Sequence, residues 1–406
     1  MEKVMIPKLR FPEFGGNWET KKVGECFKVN AGGDIDKEHV SEIKTDYYKY
    51  PIYANAEKNK GLYGYSDLYK VEAGTVTIAG RGVNIGIAHA RDHRYFPIVR
   101  LLILKPLNRE DIFFAEYVLN RLSLFVESTG VPQLTAPQIS NYKITIPNLP
   151  EQQKIATFLG TVDEKISALE EKKHLLEQYK KGVMQQLFSQ QIRFKDEDGN
   201  DFPAWEERKF SELYKFVSTN SLSREKLNYE EGEIRNIHYG DIHTKFRSHF
   251  QLNNEEVPFI NNDVDISRFK PEAFCKVGDI IMADASEDYN DIGKAIEIMS
   301  LDGNRMVSGL HTFLAKPIQK QALGFMGHFM KSWVFRKQMM VIAQGTKVLS
   351  ISTSRVGNLK VLIPSLPEQQ KIASFLSAID DKIAGVGEQL EQSRAFKKGL
   401  LQGMFV

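Results

Sequence analysis

Only two cysteines, Cys26 and Cys275, occur in 406 residues. Two thiols cannot build a disulfide framework or a four-thiolate zinc site, and they give no reason to expect export. No run of about 18 apolar residues is present, so no membrane span is expected. The opening MEKVMIPKLRFPEF lacks the continuous apolar core of a secretory signal. A reducing cytoplasm is the expected setting. An excess of one charge is missing too, the formal net charge being +2. Free-standing nucleic-acid binders ordinarily carry a basic imbalance, and near-neutrality argues mildly against one. What is present is a globular composition, 42% hydrophobic and 26% charged, over a length that suits two domains plus connecting elements.

The chain repeats itself. LPEQQKIATF, beginning at Leu149, returns as LPEQQKIASF at Leu366, and the segments 149–188 and 366–405 align without a gap, identical at about half their positions. A proline followed by acidic and amide residues reads as a helix N-terminus, because the N–H that proline lacks would be unpaired there. Apolar residues then recur every seven positions: Ile155, Val162, Leu169, Leu176 and Val183 in the first copy, with Leu159 and Ile166 four residues on. In the second copy Ile372, Ile379, Val386 and Leu400 match them, with Leu376, Ile383 and Leu390 four residues on from the frame. Such a stripe suits a two-helix seam. A helix of roughly 38 residues would be about 57 Å long and too long to hide its stripe in a small domain. The expected partner of each helix is its own duplicate, packed antiparallel. Lys180-Lys181 and Lys397-Lys398 are read as lysines suiting a helix C-terminus. Asp163-Glu164 and Asp380-Asp381 are consecutive on a helix and point different ways, which makes them a solvated or partner-facing patch and no metal site.

The segments ahead of the helices diverge but keep an order of parts. Each opens on a tryptophan motif, around Trp18 and Trp205. Next comes an apolar strand after a glycine (75–79 and 279–283), then a polar glycine-bearing loop (80–86 and 284–294). A further strand such as 98–104, a helix-like stretch (111–126 and 321–342), the segments 128–134 and 343–349, and a short strand (142–146 and 359–363) complete the order. The expected fold is α+β: globular domains at 1–148 and 191–365, separated by long helices at 149–190 and 366–406 packed as an antiparallel coiled coil, a pseudo-twofold internal repeat. Varied domains held by constant helices suggest a reader of two different half-sites.

The order domain–helix–domain–helix, with LPEQQKIATFL…DEKI and LPEQQKIASFL…DDKI at the helix starts, resembles the DNA-specificity subunit of type I restriction–modification systems over essentially the whole chain. The resemblance implies two target-recognition domains, each reading one half of an asymmetric, bipartite double-stranded DNA site. The helices would set the spacer and dock two modification subunits that carry S-adenosylmethionine and methylate adenine at N6. Restriction subunits would join through those, using ATP and Mg²⁺, in a bacterial or archaeal cytoplasm as part of antiphage defence. This chain would bind no cofactor and perform no catalysis. In agreement, it has no Pro-Pro pair for an (N/D)PP(Y/F) methyltransferase motif, and Gly293-Lys294-Ala295 fails the P-loop pattern GxxxxGK(S/T). His89 and His93 have helical spacing but lie beside an expected strand, so no metal is assigned to them.

Base readout needs paired donors and acceptors, and backbone contacts use Lys, Ser, Thr and Tyr. The candidates in the first domain are Tyr53, Asn55, Arg81, Asn84, Gln133 and Thr135, with Arg81, flanked by glycines, the strongest. In the second they are His238, Tyr239, Asp241, Lys245, Ser286, Asp288, Tyr289, Asn290, Thr346, Lys347 and Ser350. Local basic segments, His89–Arg94 and Lys245–Arg247, could supply phosphate contacts. The alternatives are a non-catalytic coiled-coil scaffold, which leaves the divergent loops unexplained, and a free-standing regulator, which would ordinarily pair identical chains on a palindrome.

Overall fold

The computed structural model describes residues 5–56, 58–124 and 132–406. The chain divides into two compact units, residues 1–171 with 388–406, and residues 172–387. Each of the two long helices contributes residues to both units.

Within the first unit, Glu19–Lys22 pairs antiparallel with Lys143–Ile146. The main sheet has the order Phe27–Ala31, Leu102–Pro106, Thr75–Ile78, Ala88–Arg91, all antiparallel. A smaller sheet joins Leu62–Ser66, Tyr50–Tyr53 and Phe96–Pro97. Every residue of Thr75–Ile78 is buried, the burial of a central strand covered on both faces.

The second unit repeats these parts. Glu206–Lys209 pairs with Lys360–Ile363. Its main sheet has the order Tyr214–Val217, Thr312–Pro317, Ile280–Ala283, Ala295–Ser300, His249–Gln251, and its smaller sheet includes Ile234–Ile237 beside Arg305–Ser308. Three expectations shift. The 98–104 strand begins only at Leu102, because Val99 and Arg100 turn the chain with φ of 53° and 55°. The 321–342 stretch is two helices, Phe325–Phe329 and Trp333–Ile342. The 111–126 stretch is a helix only over Ile112–Leu119; residues 125–131, including part of the 128–134 segment, lie outside the described residues.

The long helices run Leu149–Phe188 and Leu366–Met404. Their shared opening does the same work twice. Glu151 is fully buried and accepts hydrogen bonds from Arg10 Nε and Nη2, both at 2.7 Å, and from Trp18 Nε1 at 3.2 Å. Glu368, equally buried, accepts from Arg193 at 3.0 and 2.7 Å and from Trp205 at 3.0 Å. Gln152 donates to the Pro147 carbonyl and accepts from the Asp111 N–H; Gln369 does so with Pro364 and Ala322. The repeated LPEQQ is therefore a clasp that fixes each helix to the domain before it. Buried polar groups need such partners.

The apolar stripe is buried as its spacing predicts, though against more than the other helix. Ile155 and Leu159 enter the first unit's core with Trp18 and Phe114, and Leu400, Met404 and Phe405 join them there. Phe405 stacks on Phe114 with ring centres 5.5 Å apart. In the second unit Val183, Leu187 and Phe188 enter a core with Trp205, Phe325, Ile372, Leu376 and Ile379. Between these ends Leu169, Val386 and Leu390 are buried, while Val162, Ile166, Leu176 and Ile383 are half-buried.

The helices pair antiparallel within each unit. In the first, Asp163 meets Lys397 at 2.5 Å and Glu170 meets Arg394 at 2.7 Å, one helix advancing as the other retreats. In the second, Lys180 meets Asp380 at 2.5 Å. Asp163 and Asp380 are equivalent in the repeat, as are Lys180 and Lys397, so each pair uses the acid of one copy and the base of the other. This corrects the reading of those lysines as helix-end charges; of the acids read as a solvated or partner-facing patch, Asp163 and Asp380 face the other helix while Glu164 and Asp381 are exposed. Among the described residues no helix is long and apolar enough to cross a membrane.

Candidate nucleic-acid interface

Strand register gathers the variable loops at one end of each main sheet. In the first unit Ile78 lies opposite both Ala88 and Leu102, which puts 79–87 and 98–101 side by side. Tyr53 pairs with Pro97, adding 54–56, and a bridge between Arg81 and Gln133 adds the segment ending at Thr135. In the second unit Ala283 lies opposite Thr312 and Met282 opposite Ala295. Ile237 pairs with Ser308, and Ala285–Ser286 with Leu349–Ser350. The segments 238–244, 284–294, 309–311 and 344–350 are thereby brought together.

The first cluster is built around Asn55 and Arg81. Asn55 spends both ends of its amide internally: Nδ2 donates to the Val99 carbonyl at 2.6 Å and Oδ1 accepts from the Gly80 N–H at 2.7 Å. Asn84 donates to the Asn55 carbonyl. At Gly80 a Cβ would stand 3.1 Å from the carbonyls of Arg100 and Leu134, so a side chain would push the loops apart. Arg81 is half-buried; its Nε and Nη2 reach Gln133 Oε1 at 3.4 and 3.2 Å, and its Nη1 has no hydrogen bond among the described residues. Val83, at the tip of the 80–86 loop, is entirely exposed.

Several expected contacts turn inward. Tyr53 is buried, its hydroxyl 2.9 Å from His93 Nε2 and its ring under the Arg91 guanidinium. Arg91 itself is 2% exposed, which removes it from the expected basic segment. Burial, the largest influence, lowers its pKa and raises that of Tyr53. Thr135 caps the helix Ala136–Ser140 by accepting from the Gln138 N–H. A residue absent from the sequence candidates, Arg100, is exposed beside Arg81's loop. Its only sequence signal is a charged residue interrupting an apolar run; its left-handed backbone, with that of Val99, is uncommon for non-glycine residues and concentrates at functional sites.

In the second cluster His238 caps the helix Tyr239–Thr244 by accepting from the Gly240 N–H, and burial lowers its pKa, with Arg224 adding to the effect. Asp241 is fully buried and holds Arg224 at 2.8 Å and Lys245 at 3.4 Å, so its carboxylate positions cations and does not face outward. Ser286 is buried and exchanges hydrogen bonds with the backbone of Asp288. Tyr239 is half-buried, and its ring lies 5.3 Å from that of His311, which meets Asp284 at 3.1 Å. His243, 2.8 Å from the Ala285 carbonyl, completes a histidine-rich floor that single residues in sequence did not reveal. Lys245, Asp288, Tyr289, Asn290, Thr346, Lys347 and Ser350 are exposed around it.

Neither cluster has the make-up of a catalytic centre. Both offer hydrogen-bond donors at a sheet end, and the second adds the exposed Tyr289, which suits recognition of nucleic-acid edges and phosphates. Among the described residues one group of potential metal ligands, His249, His328 and Asp380, comes together, and both Asp380 oxygens accept from Lys180.

Comparison with known proteins accounts for this arrangement. The model of the type I restriction modification DNA specificity domain matches residues 15–178 and 204–392. The specificity subunit of a type I restriction enzyme of Methanocaldococcus jannaschii is 25% identical over 421 aligned positions, covering 97% of this chain and 92% of that protein. A Mycoplasma pneumoniae protein that carries the name of a type I specificity subunit is 34% identical over 148 residues; there the alignment takes in 35% of this chain and 44% of the relative. The crystal structure of a type I system S subunit from M. genitalium superposes with a TM-score of 0.64 at 17% identity, covering 99% of both chains, a likeness of fold. The chain belongs to the type I restriction–modification DNA-specificity family, with two copies of the family's domain in one polypeptide.

Proposed function

We propose that each unit reads one half of an asymmetric, bipartite DNA site through the loop cluster at the end of its main sheet. The carrying observation is that the two clusters occupy equivalent places in the repeat while their side chains differ: Arg81, Asn84, Arg100 and Gln133 in one, Tyr239, Lys245, Tyr289 and Lys347 in the other. Unlike readers in one chain call for unlike half-sites. Arg81 would address guanine or phosphate with its Nη1, while the buried Tyr53, His238, Asp241 and Ser286 and the half-buried, internally bonded Asn55 and Thr135 would hold the loops in shape.

The helices would set the spacer between half-sites and dock two modification subunits. Those subunits would supply S-adenosylmethionine and methylate adenine N6, and restriction subunits with ATP and Mg²⁺ would join through them. This chain would carry the address and no catalytic group. Sharing of the DNA by the partners would account for a net charge of only +2, since the electrostatic part of affinity need not come from one chain. The test is a genome-wide map of N6-methyladenine in cells with this gene and its modification partner, against cells lacking it. An asymmetric two-part motif that disappears with the gene is expected. No change of motif with both proteins well expressed would overturn the reading and favour a scaffold.

A further inference from the structure

A cavity of about 450 Å³ opens in the second unit, its wall touching the loop cluster where Arg336 Nη2 donates to the Asn290 carbonyl at 2.9 Å. Its charged wall consists of Lys180, Lys181, Lys331, Arg336, Glu177 and Asp380. Four cations face two carboxylates, an excess of two positive charges, and Asp380 is already satisfied by Lys180 at 2.5 and 2.6 Å. The ammonium groups of Lys181 and Lys331 make no hydrogen bond or ion pair among the described residues. Lys331 belongs to an exposed residue position, yet the protein around its ammonium and then Lys180 push its pKa down to about 8. The wall carries more cations than carboxylates, with Asp380 the counter-charge nearest Lys180 and Lys331.

The helix Trp333–Ile342 begins at this wall, and Ser332 is its N-cap. A serine there ordinarily accepts a helix N–H. Ser332 does not: it is 3% exposed, lines the cavity, and its Oγ has no hydrogen-bond partner among the described residues. Helix N-termini favour anions through their unpaired N–H groups and dipole. Trp333, next in sequence, also lines the cavity and is 61% exposed, the other two tryptophans being buried. An exposed indole offers a stacking face to a nucleobase.

We propose that this cavity binds a mononucleotide through its phosphomonoester, with Lys331, Lys181 and Ser332 taking the phosphate and Trp333 the base. The excess of two positive charges matches a phosphomonoester near its full charge better than a phosphodiester, which carries one. The same electrostatics disfavours a metal on His249, His328 and Asp380: a divalent cation would have to displace Lys180 and sit among further lysines. The proposal does not depend on how the loops read DNA.

The test is titration of the full chain with AMP at constant ionic strength, followed by calorimetry and indole fluorescence. Saturable binding with quenching is expected, the quenching but not the heat being lost in Trp333→Phe. Inorganic phosphate should compete without quenching. Lys331→Glu should weaken binding at least about tenfold by turning a charge-assisted contact into repulsion, and Lys181→Glu provides a second variant should the first fold poorly. Absence of saturable heat at millimolar AMP would overturn the proposal, as would unchanged affinity in both lysine variants. A dinucleotide phosphodiester binding as tightly as AMP would overturn the choice of a monoester.

Discussion

Replacing Arg193 with methionine should destabilise the second unit more than replacing Glu368 with glutamine, although both changes break one ion pair. The reason is the unequal exposure of the partners: the Arg193 side chain is 25% exposed and that of Glu368 is 0%. In Arg193→Met the carboxylate stays buried with one donor, Trp205 Nε1, at 3.0 Å. An uncompensated buried charge of this kind costs roughly 3–5 kcal/mol. In Glu368→Gln the guanidinium keeps its access to water and its bonds to the carbonyls of Phe202 and Pro203. The amide oxygen still accepts one hydrogen bond, so the loss should be about 1–2 kcal/mol. The double variant should fall below the sum, because the sites share a network. Urea unfolding followed by circular dichroism and indole emission would measure this, each transition fitted separately because two units need not unfold together. The Arg10–Glu151 clasp is an internal replicate with a drier arginine, 12% exposed, so Glu151→Gln should cost more than Glu368→Gln. Equal losses for Arg193→Met and Glu368→Gln would refute the reasoning.

Other outcomes follow from particular side chains. Glu297 is 1% exposed, accepts from the N–H groups of Gly324 and Gly327, and burial pushes its pKa up to about 7. Its raised value stabilises the fold below the ordinary carboxylate pKa, and that contribution, on the order of 3 kcal/mol, is lost as pH rises from the ordinary carboxylate range through 7; Glu297→Gln should flatten the fall between pH 5 and 7 in thermal melts. Lys180→Glu should lower the melting temperature by opposing Asp380, and Lys180→Glu with Asp380→Lys should recover most of it; the pair is partly exposed and worth on the order of 1 kcal/mol. Because ion pairs tie the helices in register, a spacer change needs matched insertions near 175 and 385. Seven residues in each, two turns that keep the stripe on one face, add roughly 10 Å and should lengthen the methylated motif's spacer by about three base pairs. Arg81→Ala should relax the first half-site alone, by roughly 1–3 kcal/mol if it reads guanine, as measured by competition binding of the assembled complex to altered half-sites.

The helices were legible because their signals are local. A proline near the first turn and apolar residues on one stripe state where a helix starts and which face is buried, whatever covers that face. The stripe does not state its partner. Ile155 and Leu400 look like seam residues in sequence, and the structure places them together in a domain core beside Trp18. The loop candidates fared unevenly for a related reason. Residue type marks a donor or an acceptor, but whether Asn55 faces DNA or clamps Val99 and Gly80 depends on chain segments 25 to 44 residues away. Arg100 was missed because a turn inside an apolar run has the composition of a strand.

The sequence by itself determined the duplication, the two long helices and the family they point to, since each rests on short-range spacing repeated twice. Only the tertiary structure decided that the acid of one copy meets the base of the other, that a buried glutamate clasps each helix to an arginine and a tryptophan, and which polar loop residues remain at the surface. Those outcomes depend on burial and on partners far apart in the chain. Burial raises the cost of every unpaired polar group, and it is set by the packing of the whole unit, which no local pattern contains.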